Sequence, residues 1–308
     1  MRSILLTSDF HIADKFCLTQ IERLLNQVAV LANQKDELWI LGDVFHCNKV
    51  SSQELYLLVM FLKQIQVPTT IVVGNHDKAE GQYSILDWIP TVFPNVKVYN
   101  TSTVVQVEDL KVLLGHFNLE ESKMGAYDFK LQSGLSIRDL EVKLACLGHI
   151  HKSQIIKYED KTAVHPGSLF FIDYGERNDI KGVVNLVVEG DHFTLTQLPL
   201  DPDPVIQIET TPDIDPNTLL GEYPSNTRVK IVINYSDPLL NKKAIISKYD
   251  KFTFRDKKII FQFKTSREEL TKRVHDSHQG LVQLEEYLKN LEPSVATLIR
   301  RYLGETKT

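Results

Sequence analysis

Side chains of the kinds that hold divalent ions recur through the first half of the chain in short segments punctuated by glycine. They are Asp9 and His11 in Ser8-Asp9-Phe10-His11, Asp43 after Gly42, Asn75 and His76 after Gly74, His116 after Gly115, and His149 and His151 after Gly148. Neutral imidazole together with carboxylate and amide oxygen suits manganese, iron or zinc, and the set lacks the thiolates of a structural zinc site. Asp9, His11, Asp43, Asn75, His116, His149 and His151 are more ligands than one ion needs. Two ions sharing a bridging carboxylate would use them all, and such pairs, roughly 3.5–4 Å apart, polarise a phosphate and bring the pKa of a shared water toward neutrality. One histidine in such a segment is more often a hydrogen-bonded structural residue; repetition of the pattern is what points to a site.

Each of these residues follows an apolar run with the character of a strand. Ile71-Val72-Val73 stops at Gly74, so Asn75, His76 and Asp77 are expected to emerge at a strand's carboxyl end, where open α/β sheets bind ligands. Residues 4–7 read as strand, 18–31 as helix, 37–41 as strand, 53–65 as helix and 69–73 as strand. That alternation implies a mainly parallel sheet with helices on its faces. The helix over 53–65 has little polar face and serves either the central core or a homodimer contact. After Pro94 strands are expected at 96–99, 103–107, 111–114, 143–147, 153–157, 169–173, 182–188 and 192–197, forming a second layer, with an irregular loop over 118–139.

The remaining composition is that of an ordinary globular protein, with 43% hydrophobic and 24% charged residues among 308. No run of about 18 apolar residues occurs, and the first residues turn polar too soon for a signal peptide, so a cytoplasmic protein with no membrane association is expected. Cys17, Cys47 and Cys146 have no metal or redox spacing and are expected to serve packing. A net charge of −5 argues weakly against broad electrostatic binding of DNA, although carboxylates of a metal site contribute to it. The prolines at 202 and 204 mark a boundary, followed by a smaller α+β unit whose lysines, among them Lys257 and Lys258, suit either DNA phosphates or solvated faces. From Ser266 a capped helix carries Leu281, Leu284, Leu288 and Leu291, and Pro293 opens another, giving a helical hairpin.

The order Asp-x-His, Gly-Asp, Gly-Asn-His-Asp, Gly-His, Gly-His-x-His resembles the calcineurin-like metallophosphoesterase superfamily over residues 9–151. The resemblance implies an α/β fold with a two-layered β-sandwich core flanked by helices. It places one ion on Asp9, His11, Asp43 and His151 and the other on Asp43, Asn75, His116 and His149, with His76 protonating the leaving oxygen. Protein phosphatases of that superfamily carry Gly-Asp-x-x-Asp-Arg-Gly; here His46 and Cys47 stand in place of the second aspartate and the arginine. Residues 42–46 with Asn48 and Lys49, the Gly74–Asp77 stretch, Pro166-Gly167-Ser168-Leu169, Asp173-Tyr174-Gly175-Glu176 and Lys181-Gly182 resemble the SbcD-type double-strand-break repair nucleases.

That branch implies a DNA 3′-to-5′ exonuclease and single-strand endonuclease, with manganese as the expected metal and magnesium, iron or zinc as alternatives. His46 would then orient the DNA end; its other reading is a helix-capping residue. The implied layout is a nuclease domain at 1–200, a capping domain at 201–265 and, at 266–308, a helical element docking on an SbcC-type ABC ATPase. A homodimer through the helices near 53–65 and 83–88 is implied as well. Beyond about residue 190 the resemblance is one of size and order. The readings in competition with it are a small-molecule phosphodiesterase or phosphatase and a metal-stabilised scaffold for a partner.

Overall fold

The computed structural model of the chain describes residues 1–78, 83–125, 129–130, 134–237 and 239–263; the hairpin expected at 266–308 lies outside them. In chain order the elements are β1 (Arg2–Thr7), α1 (Leu18–Ala32), β2 (Glu37–Ile40), α2 (Ser52–Gln64), β3 (Thr69–Val72), α3 (Ile89–Val92), β4 (Val96–Tyr99), β5 (Thr103–Val107) and β6 (Leu110–His116). There follow β7 (Lys123–Met124), β8 (Phe129–Lys130), β9 (Leu144–Gly148), β10 (Gln154–Tyr158), β11 (Lys161–His165), β12 (Gly182–Glu189), β13 (His192–Pro199), β14 (Val205–Thr210), α4 (Pro216–Leu220), β15 (Arg228–Tyr235), α5 (Lys242–Tyr249) and β16 (Asp256–Phe263). The chain divides into a unit of residues 1–207, 223–230 and 254–257 and a second of 208–222, 231–253 and, among the described residues, 258–263.

The first unit is built on two sheets, as expected of a two-layered α/β core. One has the order β13-β12-β1-β2-β3-β4 and the other β10-β11-β9-β6-β5. Strands β1 to β4 run parallel, as do β6, β9 and β11. The period-two alternation of the strands sorts their side chains between faces. Ile4, Leu6, Trp39 and Val72 join Val112, Leu114, Leu144 and Cys146 in a core between the sheets. Leu5, Leu38, Ile40 and Ile71 point the other way, against Ile21, Leu24 and Val28 of α1 and Leu58, Phe61 and Leu62 of α2. Ser51 opens α2 with a capping box, and Glu54 Oε1 accepts the Asp14 amide at 2.7 Å, tying the helix start to the loop after β1.

Several expectations change. Strands β4, β12 and β13 belong to the first sheet rather than the second layer, because β4 pairs parallel with β3 while β12 returns antiparallel beside β1 and carries β13 with it. Residues 83–88 form turns instead of a helix, closed by the Asp87 carboxylate on the Ser84 amide at 2.9 Å. Residues 169–173 are irregular, while β11 is a strand that its sparse apolar content concealed. Helix α2 buries one face only: Leu55, Tyr56 and Met60 are exposed. Cys146 is buried in packing, but Cys47 is exposed. The second unit holds most of a three-stranded sheet of β14, β15 and β16, with α4 and α5, around Ile231, Ile233, Ile245 and Tyr249. No helix among the described residues is long and apolar enough to cross a membrane.

His165 is fully buried at the end of β11, and its ring bridges to the strand that carries two candidate ligands. Its Nδ1 donates to the Gly148 carbonyl at 3.1 Å and its Nε2 accepts from the Ser122 hydroxyl at 3.0 Å. Burial, with the charges of His149 and His116 adding to it, pushes its pKa down to about 4. The unfolded chain therefore takes up this proton first, and stability is lost as pH falls from about 6.5 toward 4. By pH 5 the loss from this group is about 2 kcal/mol. Urea unfolding of the wild type and His165→Gln in excess chelator should show the cost of the substitution shrinking by that amount between pH 7.5 and 5.

Candidate metal centre

Because β1, β2 and β3 are parallel in one sheet and β6 and β9 parallel in the other, their carboxyl ends meet along a single edge. Asp9 and His11 leave β1, Asp43 leaves β2, Asn75 and His76 leave β3, His116 ends β6, and His149 and His151 follow β9. The structure brings all of these side chains together. Asp9, His11 and His151 form one group able to hold an ion, and Asp43, His116 and His149 another. Asn75 Oδ1 joins the second, 3.2 Å from His116 Nε2 and 3.0 Å from His149 Nδ1. Asp43 Oδ2 is 3.1 Å from His116 Nε2 and 3.8 Å from His11 Nε2, so one carboxylate faces both groups. His46 and His76 lie alongside, forming a third cluster with His11.

The backbone is strained where it presents these ligands. Asp9, His11, Asp43 and His149 all have positive φ, at 53°, 44°, 50° and 78°. Such conformations are costly for non-glycine residues and persist where the surroundings impose them. Here the surroundings are a ladder between loops: the amides of Asp9, His11 and Ile12 donate to the carbonyls of Gly42, Asp43 and Val44, each at 3.0 Å. Gly42, with φ 91°, stands where any Cβ would strike the His116 ring, and a Cβ on Gly148 would strike the Leu41 carbonyl.

The donor set fits divalent cations on two independent observations. Both carboxylate oxygens of Asp9 are fully buried without a hydrogen-bond partner, which is costly for a charged group unless a cation satisfies it. His116 donates from Nδ1 to the Leu41 carbonyl at 2.7 Å, so its Nε2 and the Asp43 carboxylate face one another and need a proton or a cation between them. Burial would lower the pKa of His116, but the Asp43 carboxylate raises it to about 9. Burial would raise Asp43, yet the hydrogen bond and charge of His116 hold it at about 2. His11 is driven well below its ordinary value by burial and then by His151, and His149 is lowered by burial and then by His116, which favours the neutral form in which imidazole ligates.

Asp77 departs from expectation. It does not face the site but turns inward and is fully buried, accepting the amides of Gly74 at 3.0 Å, Phe45 at 2.9 Å and Val44 at 3.3 Å. Glu176 and Lys181 were read from the sequence only as part of a family pattern. The structure places Glu176 Oε1 on His151 Nδ1 at 2.7 Å, with the Lys181 ammonium 2.8 Å from Oε2. Lys15 carried no signal, since one lysine in a loop is unremarkable by type, yet its ammonium contacts His46 Nε2. Among the basic residues beyond 240, Arg255 pairs with Asp203 and Lys242 lies over the rings of Tyr235 and Phe261 at 4.9 and 5.6 Å, which suits structural roles.

Replacing Asp9 by Asn keeps the shape of a buried carboxylate that has no hydrogen-bond partner and removes its charge. Asp9→Asn should therefore bind manganese at least tenfold more weakly while its unfolding midpoint in chelator is unchanged or higher than wild type. Dialysis against manganese followed by metal analysis, with thermal unfolding of the stripped samples, checks both parts.

The profile described as the calcineurin-like phosphoesterase superfamily domain matches residues 1–186. No curated protein matches the chain. Among solved structures, an archaeal phosphodiesterase aligns at 17% identity and TM-score 0.43, covering 64% of this chain and 99% of that one. A predicted phosphoesterase from Streptococcus pneumoniae TIGR4 aligns at 14% identity and TM-score 0.38, covering 64% and 89%. Wild-type Vps29 from Entamoeba histolytica, complexed with zinc, aligns at 14% identity and TM-score 0.37, covering 64% and 98%. With the profile spanning more than half of its length, this chain belongs to the calcineurin-like phosphoesterase superfamily.

Proposed function

We propose that the chain is a dinuclear-metal DNA phosphodiesterase, acting as a 3′-to-5′ exonuclease on duplex ends and as an endonuclease on single strands. The observation that carries the hydrolytic reading is the pair of ion groups facing a common Asp43 with His46 and His76 beside them. Asp9, His11, Asp43 and His151 would hold one ion and Asp43, Asn75, His116 and His149 the other. When bound, such ions polarise the phosphate and make a water nucleophilic near neutral pH.

The protein groups then have separable tasks. His76 donates from Nδ1 to the His46 carbonyl at 2.6 Å, which fixes the ring with Nε2 toward the site, 4.0 Å from Asp43 Oδ2. When protonated it presents Nε2–H to the departing oxygen. His46 is pushed down to about 4 by burial and then by the Lys15 ammonium, so its ring is neutral and suits orienting the substrate better than supplying a proton.

A polynucleotide substrate is favoured by what adjoins His46. A groove of about 600 Å³ is lined by Lys15, Phe16, Phe170 and the ion-paired Arg228, Arg255 and Asp256. The Phe16 ring stands edge-on to His46 at 5.2 Å, so this lining is continuous with the reacting edge. Lys15, its ammonium 5.0 Å from the Phe16 ring centre, suits a phosphate next to a stacked base. The resemblance to the SbcD-type nucleases supports the same class, with manganese as the expected metal.

The partners follow from that resemblance. Exposed Leu55, Tyr56 and Met60 on α2 support a homodimer, and residues 266–308 are proposed to dock on an SbcC-type ATPase.

Nucleotide release from blunt duplex DNA with manganese tests the activity. Wild type should release nucleotides and Asp43→Ala none; His76→Ala should keep its metal and lose roughly 100-fold or more of the rate. His46→Ala should lose exonuclease more than endonuclease activity, and a full exonuclease rate would remove its orienting role. Turnover of a cyclic nucleotide far above that of DNA would replace the nuclease reading with a small-molecule one. Sedimentation checks the assembly: Met60→Glu should convert a dimer to monomers, and a chain ended at residue 265 should no longer carry the ATPase.

A further inference from the structure

Behind the metal edge, in the same unit, lies a wholly buried lysine. The side chain of Lys181, immediately before β12, is 0% exposed. Its ammonium is 2.8 Å from Glu176 Oε2, 2.9 Å from Ser168 Oγ, 3.1 Å from the His151 carbonyl and 3.5 Å from Asp179 Oδ2, with the Phe171 ring 5.4 Å away. Removing an ammonium from water costs several kcal/mol, so full burial requires a complete set of acceptors, and this one has it.

The acceptors converge on one residue. Lys181 and the Ser168 amide, at 3.1 Å, both bind the main-chain carbonyl of His151. Glu176, itself held by Lys181 and by the Ile172 amide at 3.0 Å, accepts from the ring of the same histidine at 2.7 Å. A single cation thus fixes His151 at its backbone and, through a carboxylate, at its imidazole. The ring retains no freedom except to aim Nε2 outward, where it meets His11 Nε2 at 3.0 Å and Asp9 Oδ1 at 3.9 Å.

The second ion group is supported differently. His116 donates its back nitrogen to a neutral carbonyl, that of Leu41, and the Nδ1 of His149 faces the Asn75 amide oxygen. A carboxylate behind an imidazole makes it a more basic and better oriented ligand than a carbonyl does. The two groups are therefore unequal in a way that their own ligands do not reveal.

We infer that Glu176 and Lys181 are positioning residues that hold His151 as a ligand and make the Asp9, His11 and His151 group the tighter of the two ion sites. The inference rests on the metal-binding reading of the centre and is independent of which phosphodiester is cleaved. Glu176 supplies the carboxylate behind the ring; Lys181, 2.8 Å from its Oε2, holds that carboxylate in place. Glu176→Gln keeps the size and an acceptor oxygen but removes the charge, which separates ligand tuning from packing.

The test is calorimetric titration of the full chain with manganese after stripping by chelator. Wild type should bind in two resolved steps. Glu176→Gln should weaken the tighter step by about 10–100-fold and leave the weaker one within about a factor of two. Lys181→Met should do the same, and the double variant should cost no more than either change alone. In a His151→Ala background Glu176→Gln should have no further effect on either step. Unfolding midpoints in chelator establish that each variant is folded, and if Lys181→Met is not, Glu176→Gln alone decides. Equal weakening of both steps, two unchanged steps, or an effect that persists without His151 would overturn the inference while leaving the metal centre standing. A wild-type chain that takes up no manganese would overturn both.

Discussion

Everything at the metal edge depends on one buried carboxylate that touches no candidate ion group. Asp77 gathers the amides of Gly74, Phe45 and Val44, and so locks the loop after β2 to the loop after β3. Burial raises its pKa to about 6 while those amides oppose the shift. The His76 amide adds a bond at 2.9 Å to Asp43 Oδ1, and the ladder from residues 9–12 to 42–44 ties in the loop after β1. Loops that would otherwise move independently are thereby held to hydrogen-bond precision. A pair of ions needs that precision, since donor atoms must stand within a few ångströms of shared positions.

The same edge concentrates what a fold ordinarily avoids. Imidazoles face each other nitrogen to nitrogen, His11 toward both His151 and His46, and several ligands occupy left-handed backbone. Asp9 is buried with no hydrogen-bond partner. These costs are opposed by two apolar cores, one on each face of the first sheet, that fix the strand ends from behind. Cations at the edge would convert the crowded lone pairs from a source of repulsion into ligands, so stability and metal affinity are coupled here.

Around this centre the supporting groups differ from one ligand to the next. His151 has a carboxylate and a buried ammonium behind it, His116 a carbonyl, and the Gly148 carbonyl that precedes His149 is pinned by His165. Residues behind a candidate ligand set its orientation and basicity, so these differences give the two ion groups different surroundings.

The convergence of these side chains was legible in the sequence because each segment lies at or just past the end of a strand, and a strand's direction carries its end residues to a predictable edge. Local period and turn chemistry also determined α1, α2 and the first strands to within a residue or two. Pairing was not legible: β12 belongs beside β1 through contacts across the length of the domain, and β11 has too few apolar residues to announce itself. Nor was direction at a loop. Asp77 reads as a third polar residue at the edge beside Asn75 and His76, but the amides of Val44 and Phe45 from another segment, with that of Gly74, turn it inward. Glu176 and Lys181 stand about 25 to 30 positions from His151, and only the folded chain makes them its support. Sequence carries residue type and local period; which distant donor meets which acceptor is decided when the sheets close, because burial then requires each polar group to find a partner.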